Sequence, residues 1–107
     1  MTPEGKVVAA IRSTVRNAGG LVRKVEWSGV RGAPDLFVML GGRHCFVEVK
    51  APGNRPDPHQ TREHLRMARV GGCEIYVIDS EPLAKLLPML MEQGGSVPLK
   101  AANNGEY

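Results

Sequence analysis

The chain is 107 residues long, 42% hydrophobic and 23% charged, with a formal net charge of +3. That leaves room for one globular domain and not two, and a domain this small buries only roughly 60–65% of its unfolded surface. No apolar run approaches the roughly 18 residues of a membrane span, the N-terminus has no signal-peptide h-region, and the aromatics are too few to announce a base-stacking platform.

Thr2-Pro3-Glu4 opens the first predicted helix, with Thr as N-cap, Pro at the first helical position and an acid in the first turn. Val7, Val8, Ile11, Val15 and Ala18 follow at helical spacing until Gly19-Gly20 stops the segment. Glu4 lies on that same stripe. It is either an acid complementing the helix dipole or a third carboxylate carried over the sheet. Leu21 to Trp27 is strand-like, and Glu26 within it is a weaker competing acid. Ser28-Gly29-Val30-Arg31-Gly32 is a loop, either a plain connector or a place where backbone can approach a phosphate.

Ala33 to Lys50 reads as two strands around a Gly41-Gly42 turn. A two-residue turn there pairs Leu40 with Arg43, Met39 with His44, Phe37 with Phe46 and Asp35 with Glu48. Two carboxylates then face each other, and Lys50 points to the same face roughly 6–7 Å further along. Like charges directly opposed in a sheet are destabilising unless a cation or a proton intervenes.

Ala51 to Pro56 is a turn-rich loop, and Asp57-Pro58 starts a second helix that runs to about Val70, with Gly71-Gly72 as the stop. Thr61, Leu65 and Ala68 form its predicted inner stripe. Gln60 and His64 share an adjacent face, and Arg62, Arg66 and Arg69 make a basic side. His59 and His64 are read as surface histidines, and with His44 they make no convincing ligand set. Cys73 to Ile78 is a predicted strand. Asp79-Ser80 caps a third helix with Leu83, Leu86, Leu87, Leu90 and Met91 as its apolar face. Residues 1–92 are thus one domain, and 93–107 a loose tail that a partner subunit could order. Cys45 and Cys73 belong to no Cys/His cluster, so they are read as buried free thiols, which suits a reducing cytoplasm. The order α-β-β-β-α-β-α predicts an α/β fold, a mixed sheet with helices on its faces.

Asp35 and Glu48 are hard oxygen donors suited to a divalent cation that also accepts a phosphate oxygen. Lys50 beside them can orient a water or stabilise charge developing on phosphorus. The competing reading is an ion pair on a solvated face. The cross-strand register and the Pro34 before Asp35 favour the site. Residues 1–72 hold twelve Lys/Arg against six Asp/Glu, whereas 73–107 hold two against five. That asymmetry suits a polyanion such as nucleic acid, although an ordinary solvated surface explains it equally well.

Pro34-Asp35 followed by Glu48-Val49-Lys50 resembles the PD-(D/E)XK nuclease superfamily. The wider run is similar to the VRR-NUC (virus-type replication-repair nuclease) domain in its stand-alone phage and bacterial form. That run is Arg31 to Leu36, Phe46 to Gly53, Pro58-x-Gln60 and Gly71 to Ile78. The resemblance implies a restriction-endonuclease-like fold and a Mg²⁺- or Mn²⁺-dependent endonuclease acting on DNA. The substrate implied is branched DNA such as Holliday junctions or flaps, cut by a homodimer in the bacterial or phage-infected cytoplasm. Asp35, Glu48 and the Val49 backbone carbonyl would hold metal, with Glu4 a further acid. Lys50 would be the catalytic lysine, and Gln60 would orient it or contact phosphate. Lys24, Ser28, Arg31, Arg55, His59 and Arg62 would contact nucleic acid. Where the family often has an aromatic five residues after the glutamine, this chain has Leu65. The alternative is an inactive DNA-binding module of a replication or repair complex.

Overall fold

The computed structural model describes residues 1–94. Its elements are α1 (Pro3–Asn17), β1 (Leu21–Lys24), β2 (Leu36–Leu40), β3 (Arg43–Val49), α2 (Pro58–Gly71), β4 (Ile75–Ile78), α3 (Glu81–Lys85) and α4 (Leu87–Gln93). The expected order holds, with its last helix divided in two. The predicted tail lies almost entirely outside the described residues.

The helix starts follow their cap chemistry. Thr2 Oγ1 accepts from the Gly5 N–H at 3.0 Å, with Pro3 behind it. Asp57 and Gln60 form a reciprocal capping box at the start of α2. The division of the last helix has a covalent cause. Pro88 carries no N–H to donate to Ala84, so α3 ends and α4 begins close to it. Leu86, predicted on the apolar face, therefore turns out to solvent at 46% exposure.

The four strands lie in the order β1-β2-β3-β4, antiparallel up to β3 and parallel between β3 and β4. Gly41 and Gly42 have φ of +61° and +77°. Positive φ at both central positions is what a type I′ hairpin demands, and such a turn matches the twist of the flanking strands. The register follows: Leu40 opposite Arg43, Phe37 opposite Phe46 and Leu36 opposite Val47. Carried one residue further, it sets Asp35 against Glu48.

Alternation along the strands divides the sheet into two unlike faces. Leu36, Val38, Cys45, Val47, Val49, Tyr76 and Ile78 pack under Val7, Ile11 and Val15 of α1, closed by Ala84, Leu87 and Met91. The Tyr76 hydroxyl donates to the Leu90 carbonyl at 3.1 Å, and burial with the nearby Glu74 charge raises its pKa. The opposite face carries Asp35, Phe37, His44, Phe46, Glu48 and Lys50, with α2 lying over its β3 side.

Two strands are shorter than predicted. β1 stops at Lys24, although the Val25 N–H still reaches the Asp35 carbonyl at 2.9 Å. Trp27 leaves the strand because its indole N–H is held by the Pro34 carbonyl at 2.8 Å. β4 starts at Ile75 because the Cys73 N–H is used to close α2, donating to the Met67 carbonyl at 3.3 Å. Cys73 is consequently half-buried rather than buried, whereas Cys45 is 1% exposed.

Candidate active site

The site is built where the β2–β3 hairpin emerges beneath the first turn of α2. Glu48 is 2% exposed, an unusual position for a carboxylate. The Lys50 ammonium lies 3.5 Å from Glu48 Oε2, and the Gln60 side-chain amide donates to the same oxygen at 3.1 Å. Asp35 points at the same strand end, where its Oδ2 accepts the Val49 N–H at 3.0 Å. That bond fixes the Asp35 carboxyl against the backbone between Glu48 and Lys50.

Gln60 is oriented by its own helix cap. Its Oε1 accepts the Asp57 N–H at 3.0 Å, and its backbone N–H donates to Asp57 Oδ1 at 3.0 Å. With the amide oxygen committed to a backbone donor, the NH₂ end must face Glu48. The same donated N–H holds the exposed Asp57 carboxyl below its usual pKa. A common capping motif thus aims a side chain into the site.

His64 departs from expectation most sharply. Its pattern on the helix predicts a surface histidine, yet it is 0% exposed, with Nε2 3.6 Å from Glu48 Oε1. The predicted inner stripe of α2 is displaced accordingly: Thr61, Leu65 and Ala68 are half-buried, and His64 is the buried residue of the helix. The local signal is its position one turn after Gln60. What makes it decisive, the buried carboxylate on a neighbouring strand, is not a local feature.

Burial pushes the Glu48 carboxyl above the usual range for glutamate, and the Asp35 charge adds to this. His64 and Lys50 pull in the opposite direction without cancelling it. Glu48 Oε1 is fully buried and has no donor within hydrogen-bond distance, the His64 imidazole standing off at 3.6 Å. A buried carboxylate oxygen left without a close donor, beside a second carboxylate, is a donor set that fits a hard divalent cation. Asp35 and Glu48, with the Val49 carbonyl, are the residues that would hold it. Among the described residues no three His, Cys, Asp or Glu side chains converge into a complete protein-only cage.

Glu4 is the remaining expected acid. It is exposed in the first turn of α1, the helix that packs on the other face of the sheet. The buried stripe that would carry it inward does not begin until Val7. Glu26 is also exposed. Of the residues expected to meet nucleic acid, Lys24, Ser28, Arg31, Arg55 and Arg62 are exposed, and His59 is half-buried with Nδ1 3.1 Å from Asp57 Oδ1. Two of the segments carrying them converge. Gly32 has φ +86°, and a Cβ there would lie 2.9 Å from the His59 carbonyl and 3.0 Å from Gln60 Cα. The loop at 28–32 therefore seats directly on the start of α2, against the backbone of His59 and Gln60.

No family model matches the sequence. Individual proteins do. The chain is 42% identical over 86 residues to "Putative nuclease p44" of Acyrthosiphon pisum secondary endosymbiont phage 1, covering 79% of this chain and 91% of that protein. A solved structure described as "VRR_NUC domain" superposes with a TM-score of 0.73 at 43% identity, over 82% of this chain and 97% of its own. With the hairpin, the buried glutamate and the lysine in place, these likenesses carry the identification: the chain belongs to the VRR-NUC family.

Proposed function

We propose that the protein is a metal-dependent endodeoxyribonuclease that hydrolyses phosphodiester bonds in branched or flapped DNA during replication, repair or recombination. The observation that carries this reading is the buried Glu48 Oε1 with no close donor, held opposite Asp35 with the Lys50 ammonium 3.5 Å from its sister oxygen. A bound Mg²⁺ or Mn²⁺ would neutralise charge at the scissile phosphate. The chain's own residues do the rest. Asp35 and Glu48 anchor the cation, and Gln60 holds Glu48 in one rotamer. Lys50, only partly screened by solvent, stabilises negative charge developing on the phosphate oxygens. Arg31, Arg55, Arg62, Lys24 and Ser28 are the candidate phosphate contacts that would orient a duplex arm. Paired incisions across a junction need two such sites, so the active species in this reading is a homodimer.

The test is a panel of labelled four-way junction, flap, duplex and single strand, incubated with Mg²⁺, Mn²⁺ or chelator. Metal-dependent incision concentrated at branch points is expected. Lys50→Ala should abolish incision while leaving DNA binding in chelator largely intact. Wild-type cutting by that variant, or no product on any substrate with either metal, would overturn the reading, the second outcome in favour of a DNA-binding module.

A further inference from the structure

The protein has five aromatic side chains: two Phe, one Trp and two Tyr. Its core uses Tyr76 and is otherwise aliphatic. Both phenylalanines and the tryptophan lie on the opposite face, in an unbroken row that begins beside the carboxylates. Trp27 packs on Phe46 with ring centroids 5.5 Å apart, Phe46 on Phe37 at 5.1 Å, and Phe37 on His44 at 5.6 Å. Phe46 precedes Glu48 by two residues and Phe37 follows Asp35 by two, so strand alternation puts the row on the catalytic face, one pleat from the site.

This row is not simply the core of a second layer. The residue that α2 buries is His64, against Glu48, while Trp27, Phe37 and Phe46 remain half-buried and His44 is exposed. No acid belongs to the row. Arg23, exposed on edge strand β1, is directly opposite Phe37 and extends the row with a cation. Rings packed in a tilted row (interplanar angles 43–54°), ended by a guanidinium and abutting a phosphodiesterase centre, match the chemistry of unpaired nucleotides: π-faces for the bases and positive charge for the backbone.

We propose that Trp27, Phe46, Phe37 and His44, with Arg23, form a stacking platform for unpaired bases of the substrate. The platform would guide a single-stranded arm or a frayed branch point towards Asp35 and Glu48. The inference rests on the nuclease reading for the identity of its ligand, but not for its geometry. It assigns the substrate class as DNA containing unpaired nucleotides next to the scissile bond.

Trp27 is the chain's sole tryptophan, so its emission reports on the platform directly. In chelator, where no cleavage occurs, an oligo-dT strand should quench Trp27 saturably, and a blunt duplex of equal length should do so far less. Phe37→Leu keeps the apolar volume and loses the π-face. It should weaken single-strand binding roughly 5- to 100-fold, as expected for one lost base–aromatic stack, and leave duplex binding unchanged. Phe37→Tyr should restore it. Should Phe37→Leu fail to fold, His44→Ala at the exposed end of the row should give a smaller loss of the same selectivity. Emission that ignores oligo-dT while the protein cleaves with metal would overturn the platform. So would emission that changes with protein concentration alone, since a second copy would then cover the face. Saturable quenching by oligo-dT in a protein that cuts nothing would leave the platform standing and remove the nuclease reading.

Discussion

Glu48→Gln should make the protein more stable and inactive at once. The wild-type carboxylate is 2% exposed, and its one good hydrogen bond comes from Gln60 at 3.1 Å. The contacts to the Lys50 ammonium and the His64 imidazole, at 3.5 and 3.6 Å, are longer than a charge-assisted hydrogen bond. Burial and the Asp35 charge outweigh them, so the folded carboxyl titrates above its unfolded value. For an acid shifted upward, the stability it contributes is fully present below the unfolded pKa and is lost as pH rises through the folded one. At neutral pH the charge is therefore a net cost. Glutamine keeps the shape and the acceptor for Gln60 while removing that cost. A gain of about 1–2 kcal/mol is expected, or roughly 5–15 °C in the thermal midpoint of so small a domain.

The assay is thermal unfolding followed by circular dichroism in chelator across pH 4 to 8. The difference between variant and wild type should be largest at neutral pH and shrink as pH falls below the usual glutamate range, where Glu48 is protonated in the folded and unfolded chain alike. Adding Mg²⁺ should narrow the gap to near parity. A cation present at tenfold its dissociation constant stabilises the wild type by about 1.4 kcal/mol and should leave Glu48→Gln unmoved. A variant less stable than wild type at neutral pH in chelator would refute the reasoning. It would mean that Lys50 and His64 more than repay the burial of the charge, and that Glu48 is a structural ion-pair partner.

Three further predictions test the surrounding structure. Gly32→Ala should cost about 1–3 kcal/mol, because it combines φ +86° with a Cβ 2.9 Å from the His59 carbonyl, and should lower cleavage by displacing Gln60, both measurable on one preparation. His64→Ala, by emptying a fully buried site, should destabilise by about 2–4 kcal/mol in a denaturant titration and weaken Mg²⁺-induced stabilisation, whereas exposed His44→Ala should change stability little. Burial pushes the Cys45 thiol up to about 12. At pH 8 a disulfide reagent should therefore modify one thiol per folded chain, at Cys73, and two in denaturant; equal reaction of both in the native state would contradict the packing around β3.

How far the sequence can be read depends on whether the deciding interaction is local. The hairpin register needs only two adjacent glycines and a period of two, so the facing of Asp35 and Glu48 follows from the residues alone. The starts of α1 and α2 are equally legible, since Thr2-Pro3 and Asp57-Pro58 carry their caps within three residues. The break before α4 is legible in principle, because Pro88 sits in mid-stripe, but the leucine spacing on either side masks it. His64 cannot be placed from its helix alone. An apolar stripe through Thr61, Leu65 and Ala68 is the natural choice for α2 until Glu48 is known to be buried beneath it. The aromatic row is hidden for the same reason. Its members come from β2, β3 and a loop, and only the folded sheet brings them together.

The two faces of the sheet divide the demands on this short chain. The α1 face is aliphatic, closed and self-sufficient, with Val7, Ile11, Val38 and Val47 at 0–1% exposure. It can carry most of the stability. The α2 face holds what a stable fold would avoid: opposed carboxylates, a buried histidine, a carboxylate oxygen with no close donor and half-buried aromatic rings. One motif spans the two demands. The Asp57–Gln60 capping box starts α2, and because its glutamine oxygen is committed to that cap, the amide donates to Glu48. Loss of the cap would therefore loosen the helix and release the glutamate together. Asp57→Ala, at an exposed residue outside the carboxylate centre, should accordingly reduce cation-induced stabilisation as well as basal stability. Asp57→Asn or Asp57→Ser, which retain a capping oxygen, should restore both. Separation of the two effects, with the helix weakened and cation binding unchanged, would show that Glu48 is held by Lys50 and His64 alone.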